Sequence, residues 1–324
     1  MSADYLAALP AATQEEIKQA AKIIAEGGLV AFPTETVYGL GANALDAYAV
    51  SGIYIAKGRP SDNPIIVHVS SVPMAEFVGE VNWMARYLME KFWPGPLSLV
   101  IPSNPVVPET TRGGLATVGV RMPDNPIALA LIETADTPIA APSANKSGRP
   151  SPTDAETVRR DLGKNVDMVL DGGPTLVGLE STVLDVTGEH PVLLRPGGVS
   201  KEEIEKTLDM EVLLASDANS LKRSPGTRYR HYAPKVPLVL LDKGQHAFFC
   251  NSINKKWAWM GISEPPCAPE QKIIFRNLEE YARELFRAMR ALESSGVEMI
   301  VAETPEEKGL GFALKDRLIR ASGV

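Results

Sequence analysis

Residues 31–69, AFPTETVYGLGANALDAYAVSGIYIAKGRPSDNPIIVHV, carry the pattern that decides the fold of the N-terminal part of the chain. An apolar run of strand length ends at Phe32, a helix is predicted from 46 to 56, and a second apolar strand follows at 65–69. The loop after the first strand, residues 33–41, contains two threonines, one carboxylate and two glycines. Ligand sites in open α/β sheets gather at the carboxyl ends of strands, so this loop is a candidate ligand site.

Four cations stand at the ends of predicted helices or strands, and each is followed closely by proline or glycine. One cation of this kind is more often an exposed charge, but four in the same context favour a shared anion site. Arginine suits such a site because its planar guanidinium can bind two oxygens of a phosphate or carboxylate. The four are Lys57, Arg59, Arg121 and Arg195.

Hydroxyl and imidazole side chains provide weaker signals. Ser143 and Asn145 follow the apolar run at 139–141, where an ordinary turn explains them as well as nucleotide binding does. Ser181 lacks the Gly-x-Ser-x-Gly context of a hydrolase nucleophile, and the four histidines offer no evident base, so a hydrogen-bonding role is favoured. His68 alternates with valines on a strand, and a lone strand histidine is more often structural than catalytic.

The composition is that of an ordinary globular protein. The chain has 324 residues, of which 44% are hydrophobic and 23% charged, enough for one large or two ordinary domains. No apolar run reaches the ~18 residues of a membrane span, and residues 1–10 lack the features of a signal peptide. Cys250 and Cys267 offer no disulfide framework and too few thiolates for a structural zinc site. These features predict a cytoplasmic protein with no membrane partner.

The net charge of −7 is unevenly distributed along the chain. Residues 1–208 carry 16 Lys and Arg against 25 Asp and Glu, residues 209–236 carry 5 against 3, and residues 237–324 carry 12 against 12. An acidic N-terminal part argues against broad nucleic-acid binding, which depends on neutralising phosphates. It still permits a small cationic pocket, because a local field can oppose the net charge.

Three segments are predicted along the chain. Residues 1–208 alternate strands and helices, which predicts an α/β domain with several antiparallel strands. Residues 209–236 form a polar linker interrupted by proline and glycine. Residues 237–324 repeat an α/β pattern and predict a smaller Rossmann-like domain without a Gly-rich fingerprint. Capping boxes of the form Ser/Thr-x-x-Glu indicate helix starts at Thr13, Thr153 and Ser200.

Seven short motifs occur in order along about 200 residues of the N-terminal part. They are PTETVYGL (33–40), KGRP (57–60), NP (63–64), TVGVR (117–121), APSAN (141–145), ST (181–182) and LRPG (194–197). In this order they resemble the YrdC-like threonylcarbamoyl-AMP synthase family, and the match is highly specific. The linker and the second α/β pattern resemble the long form of that family, whereas the short form ends near residue 208.

The resemblance implies both a fold and a reaction. The fold is a twisted mixed sheet with helices around a concave cationic cavity, followed by the smaller Rossmann-like domain. The reaction is that of a nucleotidyltransferase, which makes L-threonylcarbamoyladenylate and pyrophosphate from L-threonine, bicarbonate or CO2, and ATP. The product would serve N6-threonylcarbamoyladenosine modification of tRNA through a downstream transferase. Mg²⁺ would be held mainly by the ATP phosphates, with no metal ligands from the protein.

By the same resemblance, the motif residues divide between two substrates. Lys57 and Arg59 would be the catalytic cations, and Arg121 would meet the threonine carboxylate. Tyr232 would come over the adenylate from the linker. ATP would be bound by Lys57, Arg59, Asn63, Thr117, Ser143, Ser151, Arg195 and Tyr232. L-Threonine would be bound by Thr34, His68, Arg121, Ala141 and Ser181.

Two alternative functions are weighed against the synthase, an RNA-binding module and an enzyme of hydrogenase maturation. An RNA-binding module would use the cationic concavity without chemistry, although the acidic balance of residues 1–208 and the lack of aromatic platforms oppose stable nucleic-acid binding. A carbamoyl-adenylate enzyme of hydrogenase maturation would add zinc-binding and acylphosphatase regions, and two cysteines cannot supply the former.

The charge and tyrosines of the linker predict a lid that shields the adenylate from water.

Overall fold

The computed structural model describes residues 5–215, 231–242, 245, 249–250 and 254–323. Within these ranges the strands form a mixed sheet of ten and a parallel sheet of four. This confirms the predicted fold class, a large mixed sheet followed by a smaller parallel α/β unit. None of the described helices is both long enough and apolar enough to cross a membrane.

The first sheet places the predicted motifs on neighbouring strands. Its strands are β1 (Val30–Phe32), β2 (Gly39–Asn43), β3 (Val67–His68), β4 (Leu97–Pro102), β5 (Thr117–Arg121), β6 (Ile139–Ala140), β7 (Met168–Val169), β8 (Thr182–Asp185), β9 (Val192–Arg195) and β10 (Leu213–Leu214). Their order across the sheet is β10-β9-β8-β4-β5-β3-β6-β2-β1-β7. Strands β3 and β5 are parallel, and their register pairs His68 with Arg121.

Eight helices in the described part of the N-terminal region accompany this sheet. They are α1 (Ala11–Ala25), α2 (Ala47–Lys57), α3 (Val72–Val78), α4 (Trp83–Phe92), α5 (Glu109–Arg112), α6 (Pro126–Ala135), α7 (Ala155–Leu162) and α8 (Lys201–Leu208). Helices α1 and α6 bury one face against β1 and its neighbours, in a cluster with Ile17, Phe32 and Leu131. The apolar face of α1 therefore holds the strand that precedes the candidate ligand loop.

The candidate ligand loop is shorter than predicted because the chain turns back on itself as a hairpin. Strand β2 pairs antiparallel with β1, with Val30 opposite Gly41 and Phe32 opposite Gly39. A Cβ atom at Gly41 would lie 2.8 Å from the Phe32 ring, so only glycine fits this close approach. The loop proper is therefore reduced to residues 33–38.

Helix α2 begins and ends one residue later than the predicted range 46–56. The Asp46 side chain caps its start by accepting hydrogen bonds from the amides of Tyr48 and Ala49. Gly58 ends it in the left-handed conformation, with φ 60° and ψ 40°. The two motif cations consequently lie in the last turn of the helix and immediately after its cap.

The second sheet contains β11 (Leu238–Leu241), β12 (Trp257–Gly261), β13 (Gln271–Ile274) and β14 (Met299–Glu303), in the order β11-β14-β12-β13 and all parallel. In the described part of this unit, α9 (Leu278–Ser294) and α10 (Leu310–Ser322) pack against it. The buried stripe of α9 includes Tyr281, Leu285 and Met289, which repeat at the helical period.

The two sheets share one apolar cluster and several ion pairs. Val37 and Leu179, which belong to loops of the first sheet, are buried in the core cluster of the second. The Arg149 guanidinium pairs with Glu293 of α9 at 2.6 Å. The predicted boundaries at 208/209 and 236/237 remain predictions, and residues 216–230 of the linker lie outside the described ranges.

The cysteine prediction is wrong. Cys250 and Cys267 are joined by a disulfide, with their Cα atoms 6.0 Å apart. The partners lie 17 residues apart in sequence and meet because the chain folds back beside β12. Counting cysteines could not reveal this proximity, and cysteine usage therefore gives no support to the predicted cytoplasmic location.

Gly178 lies where the N-terminal and C-terminal units pack closely against each other. A Cβ atom at this position would lie 2.2 Å from the carbonyl oxygen of Arg283 on α9. We predict that Gly178→Ala lowers the free energy of unfolding more than Gly173→Ala does. Both glycines have φ near 75°, at 77° and 75°, so both substitutions carry a conformational cost of about 1–2 kcal/mol.

Gly173 is the matched control because nothing lies within 4 Å of its would-be Cβ atom. Chemical denaturation of the full chain measures both variants. Equal losses of stability would contradict the close packing at Arg283.

Candidate active site

A narrow cavity of about 60 Å³ lies where several strands of the first sheet end. It gathers the loop after β1, the ends of β3, β5 and β9, and the segment after β6. The lining residues are Thr34, Thr36, Val37, Gly39, Arg59, Ile66, His68, Arg121, Ala141, Pro142, Ser143, Asn145, Glu180, Ser181, Arg195, His231 and Tyr232. The predicted position of the ligand site, at the carboxyl ends of strands, is thus occupied by a polar cavity.

The four predicted cations are buried rather than exposed. Lys57, Arg59, Arg121 and Arg195 are each less than a tenth exposed. The ordinary alternative for each of them, a solvated charge at a strand end, is therefore wrong. Burying several cations is unfavourable unless opposite charges or hydrogen bonds compensate them.

Lys57 and Arg59 are compensated by backbone carbonyls. The Lys57 ammonium donates to the carbonyl oxygens of Ser143 and Asn145, and Arg59 Nη2 donates to the carbonyl of Pro64 at 3.0 Å. Burial, and then the neighbouring Arg59, lowers the pKa of Lys57 well below its usual value. Burial likewise lowers the pKa of Arg59 to about 10. An anion at this position would favour the charged form of both groups.

Arg121 is held by the candidate ligand loop itself. Its Nη2 atom lies 2.5 Å from Glu35 Oε2, in an ion pair whose two side chains are each 4% exposed. Its Nη1 atom donates to the Thr36 hydroxyl at 2.9 Å, and its Nε atom donates to the Gly95 carbonyl at 3.2 Å. The loop between β1 and β2 and the end of β5 thus form one wall of the cavity.

Thr34 and His68 complete that wall. The Thr34 hydroxyl donates to the Val37 carbonyl at 2.7 Å and lies 2.8 Å from the Thr36 hydroxyl. Burial, followed by the charge of Arg121, lowers the pKa of His68 to about 3. His68 is therefore neutral at physiological pH, and its buried Nδ1 atom has no hydrogen-bond partner among the described residues. A neutral imidazole here can orient a ligand but carries no positive charge to it.

Ser181 lies on the opposite wall in a hydrogen-bonded position. Its hydroxyl is 2.8 Å from the Ser98 hydroxyl and accepts a hydrogen bond from Arg195 Nη2 at 3.2 Å. Arg195 also donates to the Ser181 carbonyl at 2.9 Å. The hydroxyl is thus held by another hydroxyl and a guanidinium rather than by a general base, which agrees with the predicted hydrogen-bonding role.

His231 and Tyr232, at the end of the linker, close the cavity on the side of the second sheet. The Tyr232 ring stacks on Phe286 of α9, with centroids 5.2 Å apart, and lies 5.5 Å from the Arg317 guanidinium. Burial, and next the charge of Arg59, lowers the pKa of His231 to about 3. The described parts of the predicted linker and lid are residues 209–215 and 231–236, and these two residues lie in the second part.

Nine of the thirteen predicted site residues line the cavity. The other four are Lys57, Asn63, Thr117 and Ser151. Lys57 bonds to the carbonyl of the lining residue Ser143, and Ser151 bonds to the carboxylate of the lining residue Glu180. Thr117 lies at the far end of β5, about 13 Å from Arg121 at the usual rise per strand residue. The division of these residues between ATP and threonine remains a prediction.

Sequence patterns did not identify two carboxylates in or beside the cavity lining as site residues. Glu180 lines the cavity, Glu35 lies between the lining residues Thr34 and Thr36, and each carboxylate is paired with an arginine. Both are adjacent to predicted site residues, Thr34 and Ser181, and that adjacency was the available signal. Their partners lie 86 and 137 residues away in sequence, so the pairing itself was not visible.

The donor set does not favour a metal held by the protein alone. In the described part of the chain, no three or more His, Cys, Asp or Glu side chains gather in a way that could hold a metal ion. Glu180, which lines the cavity, and Glu35 of the candidate ligand loop are both engaged by guanidinium groups. A metal here would need most of its oxygen ligands from a bound phosphate.

Comparison with known proteins agrees with this geometry. A family model described as "Telomere recombination" matches residues 22–197, and one described as "Threonylcarbamoyl-AMP synthase, C-terminal domain" matches residues 199–323. The threonylcarbamoyl-AMP synthase of Pyrococcus abyssi is 47% identical over 320 residues, covering 95% of this chain and 94% of the relative. That of Bacillus subtilis is 43% identical over 329 residues, with 95% and 93% coverage.

This chain belongs to the threonylcarbamoyl-AMP synthase family. The resemblance found in the motifs is thereby confirmed, including the long form with its second domain. A crystal structure of P. abyssi Sua5 complexed with L-threonine superposes with a TM-score of 0.89 at 46% identity, covering 95% of this chain and 94% of that chain. The family relationship therefore extends over both sheets.

The buried Arg121–Glu35 pair gives a stability prediction. Glu35→Gln removes one charge and leaves Arg121 without its counter-charge, so the free energy of unfolding should fall by about 3 kcal/mol. The control is Glu76→Gln, whose pair with Arg86 is 42–48% exposed and should change stability by less than about 1 kcal/mol. Urea denaturation of both variants makes the comparison. A Glu35→Gln loss no greater than that of Glu76→Gln would contradict the assigned burial.

Proposed function

We propose that this protein is a threonylcarbamoyl-AMP synthase, a nucleotidyltransferase that joins L-threonine, bicarbonate or CO2, and ATP. The observation that carries the proposal is the buried excess of positive charge around one cavity. Arg59, Arg121 and Arg195 line it, and the buried Lys57 lies beside it, bonded to the carbonyl of Ser143. The carboxylates of Glu35 and Glu180 are already paired, with Arg121 and Arg317 respectively. The L-threonine in the P. abyssi Sua5 crystal structure supports the amino acid as one substrate.

The proposed reaction needs no covalent bond to the protein. The threonine amine adds to CO2 and loses a proton, which gives a carbamate. A carbamate oxygen then attacks the α-phosphorus of ATP, and the bond to the pyrophosphate oxygen breaks. The protein's contribution is to hold three anionic fragments in line and to neutralise their charge.

The two walls of the cavity support a division of labour. On the wall built by the β1–β2 loop, β3 and β5, Thr34, His68 and Arg121 would bind L-threonine, together with Ala141 and Ser181. On the other side, Arg59 and Arg195 would meet the phosphates, with Lys57 and Ser143 beside them. Asn63, Thr117 and Ser151 complete the proposed nucleotide set, and Tyr232 would cover the adenylate. Lys57 and Arg59 are proposed as the catalytic cations.

We further propose that Mg²⁺ accompanies ATP and is held mainly by its phosphates. The carboxylates of Glu35 and Glu180 support this assignment, because both are engaged by guanidinium groups rather than directed to a metal. When bound, Mg²⁺ would neutralise part of the phosphate charge. Arg59 and Arg195 would neutralise the rest through charge-assisted hydrogen bonds.

The cellular setting is proposed on chemical grounds. The adenylate would pass to a downstream tRNA threonylcarbamoyl transferase in the cytoplasm, without stable nucleic-acid binding by this chain. The net charge of −7 supports the absence of stable nucleic-acid binding.

The lid remains a prediction, since residues 216–230 lie outside the described ranges. Its support is that His231 and Tyr232 line a cavity far smaller than the roughly 300–1,000 Å³ of typical ligand pockets.

The proposed reaction predicts pyrophosphate release that requires all three substrates. With ATP and Mg²⁺ present, release should depend on both L-threonine and bicarbonate. The full chain is assayed by coupled detection of pyrophosphate, with omission of each substrate in turn as the control. Release at the same rate without threonine would exclude the proposed synthase.

Arg121→Ala tests the threonine wall. Loss of a charge-assisted contact to the carboxylate should weaken L-threonine binding at least about tenfold, while ATP binding changes little. Calorimetric titration of the folded variant measures both. Arg86→Ala, which removes a half-exposed arginine, is the control and should bind both ligands normally. Unchanged threonine affinity in Arg121→Ala would defeat the assignment.

A further inference from the structure

A fully buried arginine from the last helix reaches the candidate active site. The side chain of Arg317 on α10 is 0% exposed. Its Nε atom donates to Glu180 Oε2 at 2.8 Å, and its Nη2 atom donates to the Pro196 carbonyl at 2.9 Å. Its guanidinium also lies 5.5 Å from the centroid of the Tyr232 ring. One residue of the second unit thus touches three segments at the edge of the cavity.

Glu180 links this arginine to the proposed nucleotide side. Glu180 lines the cavity and directly precedes Ser181. Its second carboxylate oxygen, Oε1, accepts a hydrogen bond from the Ser151 hydroxyl at 2.5 Å. Direct hydrogen bonds therefore connect Arg317 to Glu180 and Glu180 to Ser151.

We infer that Arg317 is a positioning residue for ATP, by which the C-terminal unit completes the nucleotide half of the active site. This inference rests on the proposed synthase function. Arg317 neutralises Glu180 and fixes the direction of its carboxylate, and Glu180 in turn orients the Ser151 hydroxyl. The same guanidinium supports the face of Tyr232, the residue proposed to cover the adenylate.

The need for a neutralising partner follows from the ligand. Glu180 is a buried negative charge in the wall of a cavity proposed to bind a polyphosphate. Burial by itself raises the pKa of Glu180, but Arg317 and Arg195 together lower it, so the carboxylate is ionised. Without Arg317, Glu180 would either repel the phosphates or take up a proton, and the protonated carboxyl would no longer hold the Ser151 hydroxyl as the carboxylate does. Both outcomes weaken ATP binding.

The threonine wall offers an internal contrast. The hydrogen bonds of Arg317 go to Glu180, Pro196 and Asp316, whereas the threonine wall is built by the β1–β2 loop, β3 and β5. Ser181, the proposed threonine residue next to Glu180, has its hydroxyl held by Ser98 and Arg195 instead. A role in positioning ATP therefore predicts a selective effect. A role confined to holding the two units together predicts equal effects on both substrates, or none on either.

The test compares ligand affinities of folded full-length variants by calorimetry, with AMP-CPP, a non-hydrolysable ATP analogue, and L-threonine as separate ligands. Arg317→Met keeps most of the side-chain volume and removes the charge. We expect its affinity for the ATP analogue to fall at least about fivefold, with L-threonine affinity unchanged. In turnover, the KM for ATP should rise while the KM for threonine stays constant.

Two further variants keep the test decisive if Arg317→Met folds poorly. In the double variant Glu180→Gln/Arg317→Met neither member of the ion pair is left charged, and the introduced amide oxygen can still accept from the Ser151 hydroxyl, so ATP affinity should recover in part. Arg317→Lys keeps the positive charge but lacks the planar guanidinium, so its loss of ATP affinity should be intermediate. Recovery in the double variant is not expected from a purely structural role.

Glu293→Gln is the matched control, because it removes another cross-unit ion pair, with Arg149, whose members do not line the cavity. It should leave both affinities unchanged. Unchanged ATP affinity in Arg317→Met, or equal losses for ATP and threonine, would overturn the inference. A wild-type chain without threonine-dependent pyrophosphate release would instead overturn the proposed function, so the two failures are distinguishable.

Discussion

Burial of positive charge around one small cavity is the constraint on which the rest of the structure depends. Lys57, Arg59, Arg121 and Arg195 are nearly inaccessible; each donates to a backbone carbonyl, and Arg121 also pairs with Glu35. Taking such charges out of water is costly, and an anionic ligand can supply further compensation. A polyphosphate and an amino-acid carboxylate together provide that charge. The same positions would be poor choices for stability alone, which is why their burial indicates function.

The second sheet has a part in this arrangement. Val37 and Leu179 flank polar residues of the cavity and are buried in the apolar core of the second unit. Tyr232 is held between Phe286 and Arg317, both from helices of that unit. The C-terminal α/β unit therefore packs against loops that carry site residues and supports them. Ligand loops need such rigid support if their side chains are to be held in place before the substrate arrives.

The sequence predicted features that depend on local patterns and missed those that depend on distant contacts. Arg121 and Arg195 were found because strand ends can be read from apolar runs and prolines. Their environment was not predicted, since it involves partners such as Glu35 and Ser181 from other segments of the chain. The capping boxes, which are local signals, also differed in how well they predicted helix starts. The Ser200 capping box forms in full, whereas the Thr13 box does not, because α1 already begins after Pro10. The disulfide was missed because proximity cannot be counted from composition.

In the proposed reaction, threonine, a carbon from bicarbonate and the adenylyl group of ATP are joined in this cavity. The most direct measurement incubates the full chain with L-threonine, ATP, Mg²⁺ and ¹³C-bicarbonate, quenches the reaction rapidly and identifies adenylates by mass spectrometry. We expect threonylcarbamoyladenylate that carries one ¹³C atom and forms in step with pyrophosphate. An unlabelled adenylate, or pyrophosphate release without any threonine-containing adenylate, would contradict it.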